Sequence, residues 1–244
     1  KKIFLISLFL ILNISSSFAI EGIFTVIIKK QKEKVSTRWT LAGWLKTKEK
    51  IALMDQWLAL HSSSPSFEFN FDYQAGNITN TSSQSSTSLD TDAKRYSASL
   101  FFRFLGISVE KQKFEAFSNS LNYQLNLMLL GLSMQSTNLM FYYGLRQLET
   151  DTYSNFDQKY LGGELTLYLF SFLGIIFNYR NYLEQKNDLS TYEMDGTKVE
   201  FSVFLDISLL RLKASHFTEE LTYRASSTTE RSQKGWFFGA SLFL

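Results

Sequence analysis

The chain has no cysteine, one proline and two histidines among its 244 residues. Without cysteine it can form no disulfide framework, no thiolate metal site and no thiol nucleophile. The histidines, His61 and His216, leave little material for a histidine-dependent active site. Beyond a short leader there is no stretch of the about 20 apolar residues that a membrane-spanning helix needs, which excludes a helical bundle in a bilayer. What the chain has in excess is aromatic: 23 Phe, 12 Tyr and 4 Trp, 16% of all residues. That is too many for a disordered polymer, yet mean hydropathy lies near zero. The rings must either fill a core or face something other than water.

The first residues read as a targeting segment. Lys1 and Lys2 precede an apolar run from Ile3 to Leu12, followed by Ser15-Ser16-Ser17-Phe18-Ala19. Ser17 and Ala19 supply the small side chains of a signal-peptidase site, so cleavage is expected after Ala19. The organisation read from the sequence is a signal peptide over 1–19, a basic segment over 20–65 and a third region over 66–244.

The basic segment holds Lys29, Lys30, Lys32, Lys34, Arg38, Lys46, Lys48 and Lys50 against Glu33 and Glu49, whereas acids outnumber bases from Ile51 onward. Within it, 39–61 has helical spacing. Leu41, Trp44 and Leu45 share one face behind a Thr40 cap, and Ile51, Met54, Trp57 and Leu58 share another. The two faces do not align, which predicts two short amphipathic helices or one twisted near 46–50. One placement puts Trp44 and Trp57 in lipid headgroups, with Lys46, Lys48 and Lys50 towards anionic lipid. The others are a cap or plug on the following region, or a free tether.

After Pro65 the period becomes two. Phe67, Phe69, Phe71 and Tyr73 alternate with Glu68, Asn70, Asp72 and Gln74, so one face of the strand is aromatic and the other polar. The pattern recurs around Tyr96–Phe104, where Phe101 interrupts the polar set, and around Leu121–Leu129, Leu161–Leu169 and Val199–Leu205. Ten strands are predicted, near 66–76, 93–105, 106–115, 120–130, 132–148, 158–170, 173–184, 197–206, 208–221 and 234–244. Abrupt turns are expected at Leu105-Gly106, Leu130-Gly131, Leu173-Gly174 and 206–208, with glycine supplying positive φ at the first three. Longer polar connections are expected at 77–92, about 115–120, 149–157, 185–196 and 222–233. Alternation slips between Met134 and Leu139, which predicts a bulge or a shifted strand boundary. A proline inside a closed sheet would delete a ladder hydrogen bond; Pro65 stands just before the first strand.

The chain ends Gly235-Trp236-Phe237-Phe238-Gly239-Ala240-Ser241-Leu242-Phe243-Leu244. This resembles the C-terminal assembly signal of bacterial outer-membrane β-barrel proteins, with Gly239, Leu242 and Leu244 on the matching positions. It departs in ending on Leu rather than Phe and in placing Phe237 where a polar residue is usual. The resemblance covers roughly 66–244. It implies an all-β, antiparallel, up-and-down transmembrane β-barrel, a bacterial outer-membrane location, contact with outer-membrane lipids, and insertion by the barrel-assembly machinery. The rival is a soluble barrel of the lipocalin type with its apolar face inward.

With the apolar face towards lipid, the opposite face carries Glu68, Asp72, Arg95, Arg103, Glu110, Glu164, Arg180, Lys198, Glu200, Asp206, Arg211 and Lys213 into the lumen. Such a mixture should interlock as ion pairs in a narrow interior. The sequence therefore points to a closed, polar-filled barrel with a structural or surface-interaction role, loop 77–92 being the expected contact for a surface ligand. The alternative is a passive small-solute or ion channel, porin-like. An outer-membrane lipid-modifying enzyme is the third reading, but no catalytic set stands out: His61 lies in the helical segment, and alternation puts His216 on the lipid face with Leu210 and Leu212. Nothing suggests a cofactor, a metal cluster or a nucleic-acid stripe. The basic segment yields a test of its own. A peptide spanning 39–61 should bind anionic vesicles, with retention that falls as salt rises; salt-independent or absent binding would leave packing as its role.

Overall fold

The computed structural model describes Thr40 and residues 67–83, 85–115, 119–131, 133–149, 156–187, 190–224 and 228–244. The leader 1–19, the helical reading of 39–61 with Trp44, Lys46, Lys48, Lys50 and Trp57, and His61 lie outside the described residues.

Ten strands form one closed antiparallel barrel: β1 (Glu68–Ser82), β2 (Ser85–Phe102), β3 (Leu105–Phe114), β4 (Asn119–Leu130), β5 (Asn138–Glu149), β6 (Phe156–Tyr168), β7 (Leu173–Asn187), β8 (Ser190–Ile207), β9 (Leu210–Arg224) and β10 (Thr228–Phe243). Each strand pairs with its sequence neighbours, and β1 closes the ring on β10, with Asn70 opposite Phe243 and Ser82 opposite Arg231. The two-residue period sets the register, because a one-residue slip would exchange the two faces of a strand. On β1, Glu68, Asn70, Asp72 and Gln74 are buried inside while Phe71 and Tyr73 stand outside; on β8, Lys198, Glu200, Ser202 and Asp206 are inside and Val199, Phe201 and Val203 outside.

This is the reverse of a soluble barrel. Phe102 is 65% exposed, Phe238 60%, Ile107 57% and Leu125 57%, so the lipocalin-type arrangement does not apply. The apolar band on β1 runs from Phe67 to Ala75. At a rise of about 3.4 Å per residue and a tilt of about 40°, such a run stands about 21 Å tall, close to the about 25 Å band of a barrel facing hydrocarbon. Tyr73, Tyr96, Tyr123, Tyr143, Tyr179 and Trp236 stand out along one edge of the band, and Phe67, Phe102, Phe104, Phe170 and Phe172 along the other.

Three expectations need correction. First, the polar stretches 77–92, 185–196 and 222–233 are mostly strand. Asn77–Asn80 pair with Leu89–Asp92, and Arg231–Gly235 with Phe217–Leu221, so hairpins continue through the predicted loops. Polar side chains on both faces hid these strands, since alternation marks a strand only while one face is apolar. Because of the extensions, β1, β2 and β7 to β10 have 15 to 18 residues, against 10 to 13 for β3 to β6. The long strands are contiguous around the ring, giving a high wall and a low wall. Second, β5 starts at Asn138 and not near 132, the shifted boundary that the slip between Met134 and Leu139 predicts, and the ladder with β4 shifts between Met128 and Leu130.

Third, positive φ falls at only one of the three Leu-Gly pairs, Leu130-Gly131, and otherwise at non-glycine residues. The turn between β2 and β3 is Arg103-Phe104 with Arg103 at φ 55°, that between β8 and β9 is Ser208-Leu209 with Ser208 at φ 57°, and of the three glycines only Gly131 is left-handed, at φ 103°. Gly106 and Gly174 serve a different purpose. Each lies directly across from an inward ring, Phe101 and Phe204, as Gly144 does from Tyr160 and Gly162 from Tyr142. A Cβ at Gly106 would fall 2.6–2.8 Å from the Phe101 ring. The missing side chain is the space the ring occupies. Gly106→Leu should therefore destabilise the barrel by about 1–3 kcal/mol through overpacking, read as a lower temperature for the folded-to-unfolded gel shift. Adding Phe101→Ala should recover part of that loss; no recovery would rule out steric conflict as the cause.

Candidate functional site: a braced and plugged lumen

The inward faces of the strands converge on a lumen whose charges pair across the barrel. Arg95 of β2 reaches both oxygens of Glu200 on β8 at 2.6 Å, and its second amine also donates to Gln74 at 2.5 Å. Lys198 lies 3.8 Å from the same Glu200. Arg180 of β7 meets Glu110 of β3 at 3.3 Å, Arg146 of β5 meets Glu219 of β9 at 2.5 Å, and Lys213 of β9 meets Asp72 of β1 at 3.2 Å. Arg211 and Asp206 pair at 2.7 Å, and the Tyr168 hydroxyl bridges them by donating to Asp206 and accepting from Arg211. These pairs are nearly inaccessible to water. A buried ion pair gains only where its remaining donors and acceptors are also satisfied.

A second set of partners meets part of that need. Every one of these guanidinium groups lies over an aromatic ring: Arg95 over Phe237 at 4.5 Å, Arg146 over Tyr182 at 4.7 Å, Arg180 over Tyr160 at 4.7 Å and Arg211 over Phe204 at 4.0 Å. A planar cation suits this double engagement, a fork towards a carboxylate and a face towards a ring. The rings also cluster among themselves. Phe114, Phe217 and Phe237 pack with Ile78 and Ala93, and Tyr142, Tyr160 and Tyr182 pack with Leu221.

At the short-turn end the chain itself crosses the mouth. Ser133, Gln135, Ser136 and Thr137 between β4 and β5 are buried, Gln135 completely. The Met134 amide donates to Glu68 at 2.8 Å, the Gln135 side chain donates to the Ser208 carbonyl at 3.2 Å, and the Thr137 hydroxyl accepts from the Tyr168 amide at 3.1 Å. Met134 packs on Phe101, Met128 and Met140. Between this segment and the ion-pair belt lies a cavity of about 140 Å³, bordered by Glu164, Asn178, Lys213 and Ser241 among others. The Glu164 carboxylate accepts from Asn178 at 3.0 Å.

Of the residues assigned to the lumen from sequence, Glu68, Asp72, Arg95, Glu110, Glu164, Arg180, Lys198, Glu200, Asp206, Arg211 and Lys213 lie on the inner face. Arg103 does not. It occupies the β2–β3 turn, exposed and left-handed, because the strand ends one residue before it. Arg146 and Glu219 escaped the reading. Glu219 shares the parity of Arg211 and Lys213 and so carried a legible signal, while Arg146 follows Tyr142 and Gly144 on one face, a signal that the uncertain frame of strand five obscured. Ser133–Thr137 carried none. At the C-terminus, Leu242 and Leu244 face outward, while Gly239 sits on the inner face opposite Gln74 and Lys213. His216 lies on the outer face with its ring 4.9 Å from that of Trp236, whereas Ser215 points inward to Ser202. The pair is therefore on opposite faces of the sheet and forms no dyad. No group of three or more His, Asp or Glu among the described residues is placed to hold a metal.

No family model and no curated protein matches the chain. Among solved structures it is similar to Neisserial surface protein A, at 13% identity and TM-score 0.37, over 71% of this chain and 96% of that one. It is also similar to a KdgM porin, at 12% and 0.36 over 71% and 98%, and to OprG of Pseudomonas aeruginosa, at 10% and 0.25 over 75% and 98%.

The Arg146–Glu219 pair provides a test of the bracing. Arg146→Met leaves Glu219 buried without its counter-charge and should cost about 3–5 kcal/mol of stability, whereas Arg146→Met with Glu219→Leu should restore most of it. Thermal unfolding of the refolded barrel reads both. Equal loss in the single and double variants would mean that packing, not charge, is what Arg146 contributes.

Proposed function

We propose that this chain is a bacterial outer-membrane β-barrel closed to solutes, whose lumen is a polar core and whose work is done at its surface. The observation that carries this reading is the arrangement of two obstructions in series: the Ser133–Thr137 segment across one mouth, and the Arg95–Glu200, Arg180–Glu110 and Arg146–Glu219 pairs spanning the interior behind it. A passive pore needs a continuous wet path wide enough for its solute. A chamber of about 140 Å³ between two barriers is not such a path.

The membrane part of the proposal rests on an exterior that water would not tolerate. An apolar band with aromatic residues at both edges matches the hydrocarbon and headgroup layers of a bilayer. The ladder is closed, so no backbone amide or carbonyl along the band lacks a partner strand. A signal peptide ending at Ala19 and an assembly signal at Gly239, Leu242 and Leu244 suit export to the outer membrane. The high wall carries Asn77, Thr79, Asp90 and Asp92 past the band; this polar hairpin is the part proposed to meet a surface ligand.

Planar-bilayer recording of the refolded full chain distinguishes the readings. Silence at physiological salt is expected. Stable open steps would establish the porin-like alternative. A variant lacking Ser133–Thr137 should admit larger currents than the wild type only if that segment is the outermost barrier.

A further inference from the structure

Beyond the tyrosines of the outer surface, the first charged residues on the lipid-facing side of β2 and β3 are lysines. Lys94 on β2 stands directly across the ladder from Lys113 on β3, and Lys111 lies two residues nearer the band, opposite Tyr96. All three are on the outer face; Lys94 and Lys113 are exposed and Lys111 half-buried. Like charges facing each other across an antiparallel pair are unfavourable unless something neutralises them. Asp92 and Glu115 are the next outward-facing residues, one step further from the band, and Glu115 donates its amide to the Asp92 carbonyl. No ion pair joins either acid to any of the three lysines among the described residues. The contrast with the lumen, where cations lie within ion-pair distance of carboxylates, sets this patch apart.

The position of the lysines identifies what would neutralise them. Tyr96 and Tyr123 mark the boundary of the apolar band, and the ammonium groups stand just beyond it, at the depth of lipid phosphates. Below Tyr96 the surface continues as Ala98 and Leu100 on β2, with Phe71 across from Ala98 on β1 and Val109 across from it on β3. Ala98 is the small position of this row, between Tyr96 and Leu100 on its own strand and between Phe71 and Val109 across the ladder. Charge at the top and an apolar face beneath suit an amphiphile with a phosphate head and acyl tails.

We infer that Lys94, Lys111 and Lys113 form a binding site for the phosphate of a membrane lipid, whose acyl chains lie over Ala98 between Phe71 and Val109. The site rests on the membrane reading above and adds to it a defined face of the barrel. Its orientation follows from the same geometry: the β2–β3 side is the one that gathers anionic lipid, and the Asp92–Glu115 row stands above the headgroups.

The test uses the refolded full chain in nanodiscs of phosphatidylcholine with a minor share of phosphatidylglycerol, followed by native mass spectrometry of the lipid that stays bound. Wild type should retain phosphatidylglycerol in preference to phosphatidylcholine, and the preference should fall with rising salt. Lys94→Gln/Lys111→Gln/Lys113→Gln should lower that preference by about tenfold, while Lys94→Arg/Lys111→Arg/Lys113→Arg should keep it and Lys234→Gln should leave it unchanged. A heat-dependent gel shift establishes that each variant is folded. Unaltered retention in the glutamine variant overturns the site. Displacement of the lipid by millimolar inorganic phosphate would overturn the lipid as occupant, and a lysine-dependent dimer without lipid selectivity would replace it with a second copy of the chain. Failure of the wild type to enter nanodiscs would count instead against the membrane reading itself.

Discussion

The structure depends on how a narrow interior accommodates full charges. A barrel with its apolar residues outside has only polar groups to fill its centre, and the inner faces of ten strands leave little room for water. The solution is repeated four times: an arginine from one strand reaches a carboxylate, across the lumen or on the adjacent strand, and rests on an aromatic ring of a third residue. Arg95, Arg146, Arg180 and Arg211 all follow this scheme. The carboxylate offsets the charge, and the ring covers a face of the guanidinium that hydrogen bonding cannot reach. Lysine engages both partners less closely, having no flat face to lay on a ring: Lys198 lies 5.0 Å from the centre of the Phe217 ring while 3.8 Å from Glu200. The two lumenal lysines pair with acids at 3.2 and 3.8 Å.

That scheme dictates where glycine goes. Rings large enough to cover a guanidinium are too large to stand beside ordinary side chains inside a ten-stranded barrel. Phe237, Tyr182, Tyr160 and Phe204, the rings beneath those guanidinium groups, each face a glycine on the neighbouring strand, as Phe101 and Tyr142 also do, so ring and empty position together occupy the space of two average residues. The glycines also free those rings from the choice between inside and outside that alternation imposes. An aromatic at an inward position, which looks like a break in the pattern at Phe101, becomes a regular part of the core.

Much of this was legible in the sequence, and the failures have physical reasons. The strand count, the barrel class and the inward parity of most charges follow from a period of two, a signal that is strong wherever one face is aromatic and the other polar. Three kinds of information escape it. Where both faces are polar, as at Asn77–Asp92, strand and loop look alike. Where Leu-Gly follows a strand, glycine reads as a turn residue, although at Gly106 and Gly174 it makes room for a ring across the ladder, a contact between strands that no window along one strand contains. The inward fold of Ser133–Thr137 depends on Glu68, Tyr168 and Ser208, residues distant in sequence whose convergence exists only once the barrel closes.

On the proposed membrane reading, the unequal walls determine how the molecule can sit in a bilayer. Where β3 ends, and where the ladder between β6 and β7 ends at Tyr160, β2 over 85–91 and β7 over 185–187 continue with a partner strand on one side only among the described residues. Backbone amides and carbonyls bared in this way need water, so neither step can sink into hydrocarbon. The barrel therefore has two notches at its rim, on opposite sides of the low wall, that act as a waterline. They limit how far it can submerge and how far it can tilt, independently of any anchoring by tyrosine or lysine.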